Sequence, residues 1–157
     1  MSEQESDATG HITSIHRMVD RCRAADYPAL VAKVPAGWVV MGERQVFPGY
    51  CLLLPDPVAP HLNDMPVASR SQFLLDMARI GDAVLAATSA LRINYAMFGN
   101  VEPALHAHIF PRHADEPAAT RSAQPWAFDW RLAPEYSQAL YGELRARIAA
   151  QLTRRTV

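Results

Sequence analysis

Between Leu105 and Phe110 the chain reads Leu-His-Ala-His-Ile-Phe, an alternation with the period of a β-strand. As a strand it sends Leu105, Ala107 and Ile109 to one face and His106, His108 and Phe110 to the other. Residues two apart on a strand lie roughly 6.5–7 Å apart along it. Two imidazoles therefore stand side by side, at a spacing suited to neighbouring parts of one small anionic group. Pro111 has no N–H for a ladder and is expected to end the strand. The window from Asn94 to His113 adds Asn94, Asn100 and Gly99, and contains three of the six histidines.

The other elements follow from period and punctuation. Ile12, Ile15, Val19 and Cys22 recur at helical spacing with Thr13 or Ser14 as a cap, predicting a short helix to about Ala25 in which His16 is a surface or partly packed side chain. Ala29–Val34 and Gly37–Met41, joined by Pro-Ala-Gly, read as a hairpin, and the apolar run Tyr50–Leu54 as a central strand. Pro55, Pro57 and Pro60 enforce an irregular loop carrying His61. Ser69-Arg-Ser-Gln72 has the form of a capping box. The long helix it opens carries a stripe of Phe73, Met77, Ile80, Val84, Ala87 and Leu91, with Arg70, Asp76, Arg79 and Asp82 assigned to its surface. Leu91–Phe98 alternates as a fourth strand. Residues 114–124 read as loop, Trp126, Phe128 and Trp130 as a short extended piece packing on the domain or on a second subunit. Glu135–Arg155 reads as a last helix with a Leu140, Leu144, Ile148, Leu152 stripe and a Glu143–Arg147 pair.

These elements give an α+β fold, an antiparallel sheet of about five strands with a long helix packed on it and a C-terminal helix. The expected organisation is a disordered tail over 1–11, one domain over 12–113, and a loop and helix over 114–157 that pack on the domain or on a second subunit. At 157 residues the chain can bury a core without staples. A net charge of −1 argues against nucleic acid as the main partner, though not against one nucleotide in a pocket. Cys22 and Cys51 have no Cys-x-x-Cys companions, so no disulfide framework or cysteine zinc site is expected and the setting is read as reduced and cytoplasmic. Residues 1–10 are polar and acidic, unlike a secretory signal, and no segment has the length of a membrane span.

Three chemistries fit the histidine strand at this point. A neutral imidazole is plentiful near neutral pH, so His106 and His108 suit attack on phosphorus and contact with a phosphate or leaving group. Two histidines at i and i+2 also suit a metal, although no third ligand lies at a telling spacing. Plain packing is the third reading.

The stretch Gly99-Asn100 through Pro103-Ala-Leu-His106-Ala-His108-Ile-Phe-Pro111-Arg112 resembles the histidine-triad family of nucleotide hydrolases and transferases, which carry His-x-His-x-His and two apolar residues, often followed by Pro-Arg. Counted back from Pro111-Arg112, the second and third histidines fall on His106 and His108, and Ala104 replaces the first. The resemblance implies that His106 is the nucleophile, attacking an α-phosphorus to give a nucleotidyl-histidine. His108, on the same face, is expected to contact a phosphate oxygen or the leaving group, and the substrate-binding candidates Asn100 and Asn94 are neutral amides that can donate to phosphate oxygens, the other reading being that Asn100 serves the turn after Gly99 and that Asn94 has no site role. The resemblance also implies a homodimer in which two sheets form one continuous surface; no cofactor is expected, and no metal, since no third ligand accompanies the histidine pair. The resemblance extends over about 37–113, through the Phe47-Pro48-Gly49 turn. Two further departures stand out: Tyr50 lies where many members have a histidine, and Gly42, with Glu43 beside it, lies where they carry a ribose-binding acid or asparagine. A backbone carbonyl at Ala104 can orient the nucleophile, so the chemistry is expected to survive. Arg112 and His113 add positive field or sit at the surface. The alternatives are a nucleotide-binding or sensing module without turnover and a histidine metal-binding protein.

Overall fold

The computed structural model describes residues 11–154, so all but the last residue of the tail expected over 1–11, and the last three residues of the chain, lie outside it. Among the described residues the order is α1 (Ser14–Arg23), β1 (Leu30–Val34), β2 (Gly37–Met41), β3 (Cys51–Pro55), α2 (Val67–Ala87), β4 (Arg92–Ala96), β5 (Ala107–Arg112) and α3 (Gln138–Arg154). The strands form one sheet in the order β1-β2-β3-β5-β4, every neighbouring pair antiparallel. The α+β architecture is as expected, and β3 is buried along its whole length, as a central apolar strand should be.

The faces of this sheet can be assigned from one close approach. Gly81 of α2 lies against the Tyr95 hydroxyl, and a Cβ there would come within 2.0 Å of it. Tyr95 opposes Ile109 in the β4–β5 register. Alternation then puts Tyr95, Ala107 and Ile109 under α2, and His108 and Phe110 on the opposite face, with Leu52 paired to His108. The fully buried Phe73, Ile80 and Val84 of α2 make the core on the first face. On the second face α1 packs against β3, while α3 lies against α2 and β1.

Several local expectations are corrected. His16 is buried: its Nδ1 accepts from the Thr13 amide at 3.1 Å while Thr13 Oγ1 accepts from the His16 amide, a capping box in which histidine does the work of glutamate. The Ser69–Gln72 box is not used, because α2 is capped three residues earlier by Pro66, whose locked φ is compatible with helix entry. Gln72 instead donates to Asp76 at 2.9 Å. Asp76, assigned to the surface, is buried and accepts from the Ala36 amide of the β1–β2 turn at 2.9 Å. Pro111 does not end β5 but pairs with Ile93 inside it. The β3 partner stops at the Cys51–Ile109 pair, so β5 has a free side where proline removes no bond. Leu91 lies outside α2 and is exposed, as is Leu140, so the α3 contact is centred on Gly142 and Ile148. The Glu143–Arg147 pair forms at 3.1 Å. Trp126 and Trp130 lie on two 3₁₀ turns, Pro125–Ala127 and Trp130–Leu132, rather than on an extended piece. Among the described residues no helix is long and apolar enough to cross a membrane.

Candidate active site

His106 immediately precedes β5, in a segment anchored by the Leu105 amide donating to Ala59 O at 2.7 Å. Its ring is buried, and Nδ1–H donates to the Ala104 carbonyl at 2.8 Å. A carbonyl can only accept, so this bond puts a proton on Nδ1, and in the neutral ring Nε2 then carries the lone pair. The carbonyl of Ala104 thus supplies an orienting partner at the position where the first motif histidine is missing.

His108 follows with its ring centroid 4.8 Å from that of His106. The pair lines a cavity of about 580 Å³. Its other walls include Ser14, Arg17 and Met18 of α1, Glu43, Arg44, Tyr50, Glu102 and Trp130. Glu102 accepts from the Ser14 amide at 3.2 Å and from the Ser14 hydroxyl, fastening the N-terminus of α1 to the loop before His106. A second cavity, about 270 Å³, is lined by Phe98, Gly99, Ala104 and His61, and His106 borders it too. The nucleophile candidate therefore has space on two sides.

The aromatic surroundings of His108 determine its charge. Its ring stacks on Phe110 at 5.4 Å and receives the edge of Trp126 at 5.2 Å, and its Nδ1 lies 2.7 Å from the Tyr50 hydroxyl. Burial first and the neighbouring His106 second push the His108 pKa down from 6.5 to about 4. Because the folded value is the lower one, the unfolded chain takes up a proton that the folded chain refuses as pH falls. This stability is complete above about pH 6.5 and is lost towards pH 4. The loss amounts to roughly 3 kcal/mol. Urea denaturation at several pH values between 7 and 4 is expected to show this extra loss in the wild type and not in His108→Gln. Parallel pH dependences in the two proteins would contradict it.

The two asparagines stand apart from these walls. Asn94 Oδ1 accepts from Arg112 at 3.2 Å, and Asn100 is exposed in the loop between β4 and β5. Arg112, expected to add positive field or lie at the surface, is instead a buried tie. It pairs with Glu116 at 2.7 Å, donates to the carbonyls of Arg121 and Ala123 at 3.0 Å each, and lies over the Phe47 ring at 4.7 Å. It thereby holds the loop that delivers Trp126 to His108. Sequence reasoning missed α1 as a wall of the site, the Tyr50 contact and the Trp126 and Trp130 cover. The alternating aromatics and the Tyr50 departure were the available signals, and α1 offered none beyond its apolar stripe. Among the described residues no three histidine, cysteine, aspartate or glutamate side chains come together in a metal-holding group.

Comparison with known proteins agrees with this layout. No curated protein matches the chain. A histidine triad protein from Marinobacter aquaeolei VT8 superposes with a TM-score of 0.70 at 16% identity, over 92% of this chain and 98% of that one. A histidine triad protein from Bradyrhizobium japonicum gives 0.68 at 20% identity, over 83% and 94%. A zinc-bound histidine triad family protein from Mycobacterium smegmatis gives 0.62 at 19%, over 83% and 91%. At these identities the superpositions establish the fold alone. The HIT domain family matches residues 31–115, more than half of the chain and all of the sheet but the first residue of β1. With the fold and the His106-Ala-His108 segment in agreement with it, that match places the chain in the histidine-triad (HIT) family.

Proposed function

We propose that the protein is a nucleotide hydrolase or nucleotidyl transferase acting at an α-phosphate through a covalent intermediate on His106. Family membership supports a nucleotide-related function. The observation that carries the finer reading is the His106 ring, buried on a cavity with Nδ1–H committed to Ala104 O at 2.8 Å and Nε2 left as the nucleophilic nitrogen. In the first step Nε2 forms a bond to phosphorus as the bond to the leaving group breaks, and the leaving group takes up a proton from solvent in the cavity. Water, or another acceptor, then attacks phosphorus, the P–N bond breaks, and nucleoside monophosphate or its transferred form is released. His108, as an Nε2–H donor, contacts a phosphate oxygen, and the loop carrying Asn100 contributes the remaining polar contacts. Asn94 serves the site through Arg112. The chain works as a homodimer in this reading, with the two sheets forming one continuous surface.

The test is a panel of adenosine and guanosine polyphosphates and phosphoramidates, with and without exhaustive chelation. Release of nucleoside monophosphate from at least one substrate, unchanged by the chelator, is the expected outcome. Tight monophosphate binding with no turnover on any substrate would replace the enzyme by a binding module. Loss of activity on chelation, restored by zinc, would bring back the metal-binding reading.

A further inference from the structure

We propose that Tyr50 is a positioning residue for His108, its phenol O–H donating to Nδ1 and so fixing His108 as the Nε2–H tautomer, and that Gly42 is what makes room for it. The role assigned to His108 rests on the function proposed above; the tautomer does not.

Tyr50 is 3% exposed, so its hydroxyl proton requires an acceptor inside the protein. The His108 Nδ1 at 2.7 Å is placed to be that acceptor. A ring nitrogen accepts only when the imidazole is neutral and its proton is on the other nitrogen. The contact therefore selects one form of His108 out of three, the form with a donor on Nε2. Burial pushes the Tyr50 pKa well above the usual phenol range, so the hydroxyl keeps its proton, and His108 is itself held neutral. The phenol ring has no freedom to turn away, since it stacks on Phe110 at 4.6 Å and meets the edge of Trp130 at 5.5 Å.

The remaining side of the ring is occupied by Gly42. A Cβ on residue 42 would lie 2.1 Å from Tyr50 Cε1 and 2.2 Å from Cδ1, so no side chain fits there while Tyr50 is in place. The backbones of the two residues are joined as well. The Gly42 amide donates to Tyr50 O at 3.0 Å, and the buried Gln45 side chain donates to both carbonyls, at 2.8 and 3.0 Å. The two departures from the family pattern at 42 and 50 are thus one structural change, in which tyrosine takes the space of the residue-42 side chain and spends its hydroxyl on His108.

Nitrogen-15 NMR of histidine-labelled protein without substrate tests this directly. The wild type is expected to show His108 protonated at Nε2, with Nδ1 unprotonated and hydrogen-bonded. Tyr50→Phe keeps the ring and removes the O–H, so the Nδ1 resonance should move towards that of a free acceptor. Gly42→Ala should do the same with the hydroxyl still present, by displacing the ring. With the best substrate, kcat of Tyr50→Phe should fall by about tenfold, the scale of one lost hydrogen bond, with KM little changed. A protonated Nδ1 in the wild type, an Nδ1 signal unmoved by Tyr50→Phe, or an unchanged kcat in that variant would overturn the proposal. Absence of turnover in the wild type would remove the positioning role together with the proposed function, while leaving the tautomer assignment to stand or fall on the spectra.

Discussion

His106→Asn is expected to lower kcat by at least about 10⁴-fold while leaving the thermal unfolding midpoint within a few degrees of the wild type. The expectation follows from what the side chain provides. Its Nδ1–H bond to Ala104 O can be imitated by an amide N–H, so the local backbone keeps its partner. The lone pair on Nε2 cannot be imitated, and without it the two-step route through a covalent intermediate is closed. Residual rate then comes only from binding and oriented dipoles in the cavity. Steady-state kinetics and a melting curve on the same preparation check both halves. Turnover within about tenfold of the wild type would remove His106 from the chemistry, since direct participants cost far more.

The second large effect concerns stability. Arg112→Ala is expected to destabilise the fold by about 3–5 kcal/mol, because it strands the buried Glu116 carboxylate and unties the loop carbonyls. For a chain of this size that is a fall of roughly 10 °C in Tm. Arg112→Lys should recover less than half of it. A single ammonium cannot reach Glu116, Asn94 and the carbonyls of Arg121 and Ala123 together, as the guanidinium fork does. Tryptophan fluorescence should change in both variants, since the tied loop carries Trp126 to its place against His108. Differential scanning calorimetry reads the size of the effect, and a Tm within 2–3 °C of the wild type in Arg112→Ala would show that the tie is not structural.

How far the fold could be read in advance depended on whether an element's signal was local. Gly37–Met41 and the apolar run of β3 announce themselves by residue type, and the α2 stripe by its period, because burial on one face repeats at the pitch of the element. The end of β5 was not legible, since the tolerance of Pro111 depends on β3 stopping at Cys51, a fact of the register and not of the neighbouring residues. Asp76 reads as a solvated helix residue until the β1–β2 turn brings the Ala36 amide to it. Trp126, Phe128 and Trp130 imitate a strand's alternation, yet Pro125 opens a 3₁₀ turn and the rings spread over His108, Phe110 and Phe47.

The candidate site divides along the same line. His106 and His108 share a face by local spacing, and the orienting role of the Ala104 carbonyl follows from its position two residues before His106. The contact of Tyr50 with His108 spans 58 residues of chain, and residue 50 offered only the fact that it was unusual. The α1 wall is farther still: its apolar stripe predicts that it packs, and gives no sign that Ser14, Arg17 and Met18 would face the histidines.

The covalent intermediate is the centre of this account, and its capture is the most direct measurement. Enzyme mixed with excess substrate, quenched within milliseconds under alkaline conditions that preserve a phosphorus–nitrogen bond, and analysed by intact mass and peptide mapping should carry one nucleoside monophosphate group on His106. That adduct should form at least as fast as kcat and disappear when substrate is exhausted. Turnover with no adduct at any quench time and no burst of leaving group, or an adduct mapped to another residue, would contradict it.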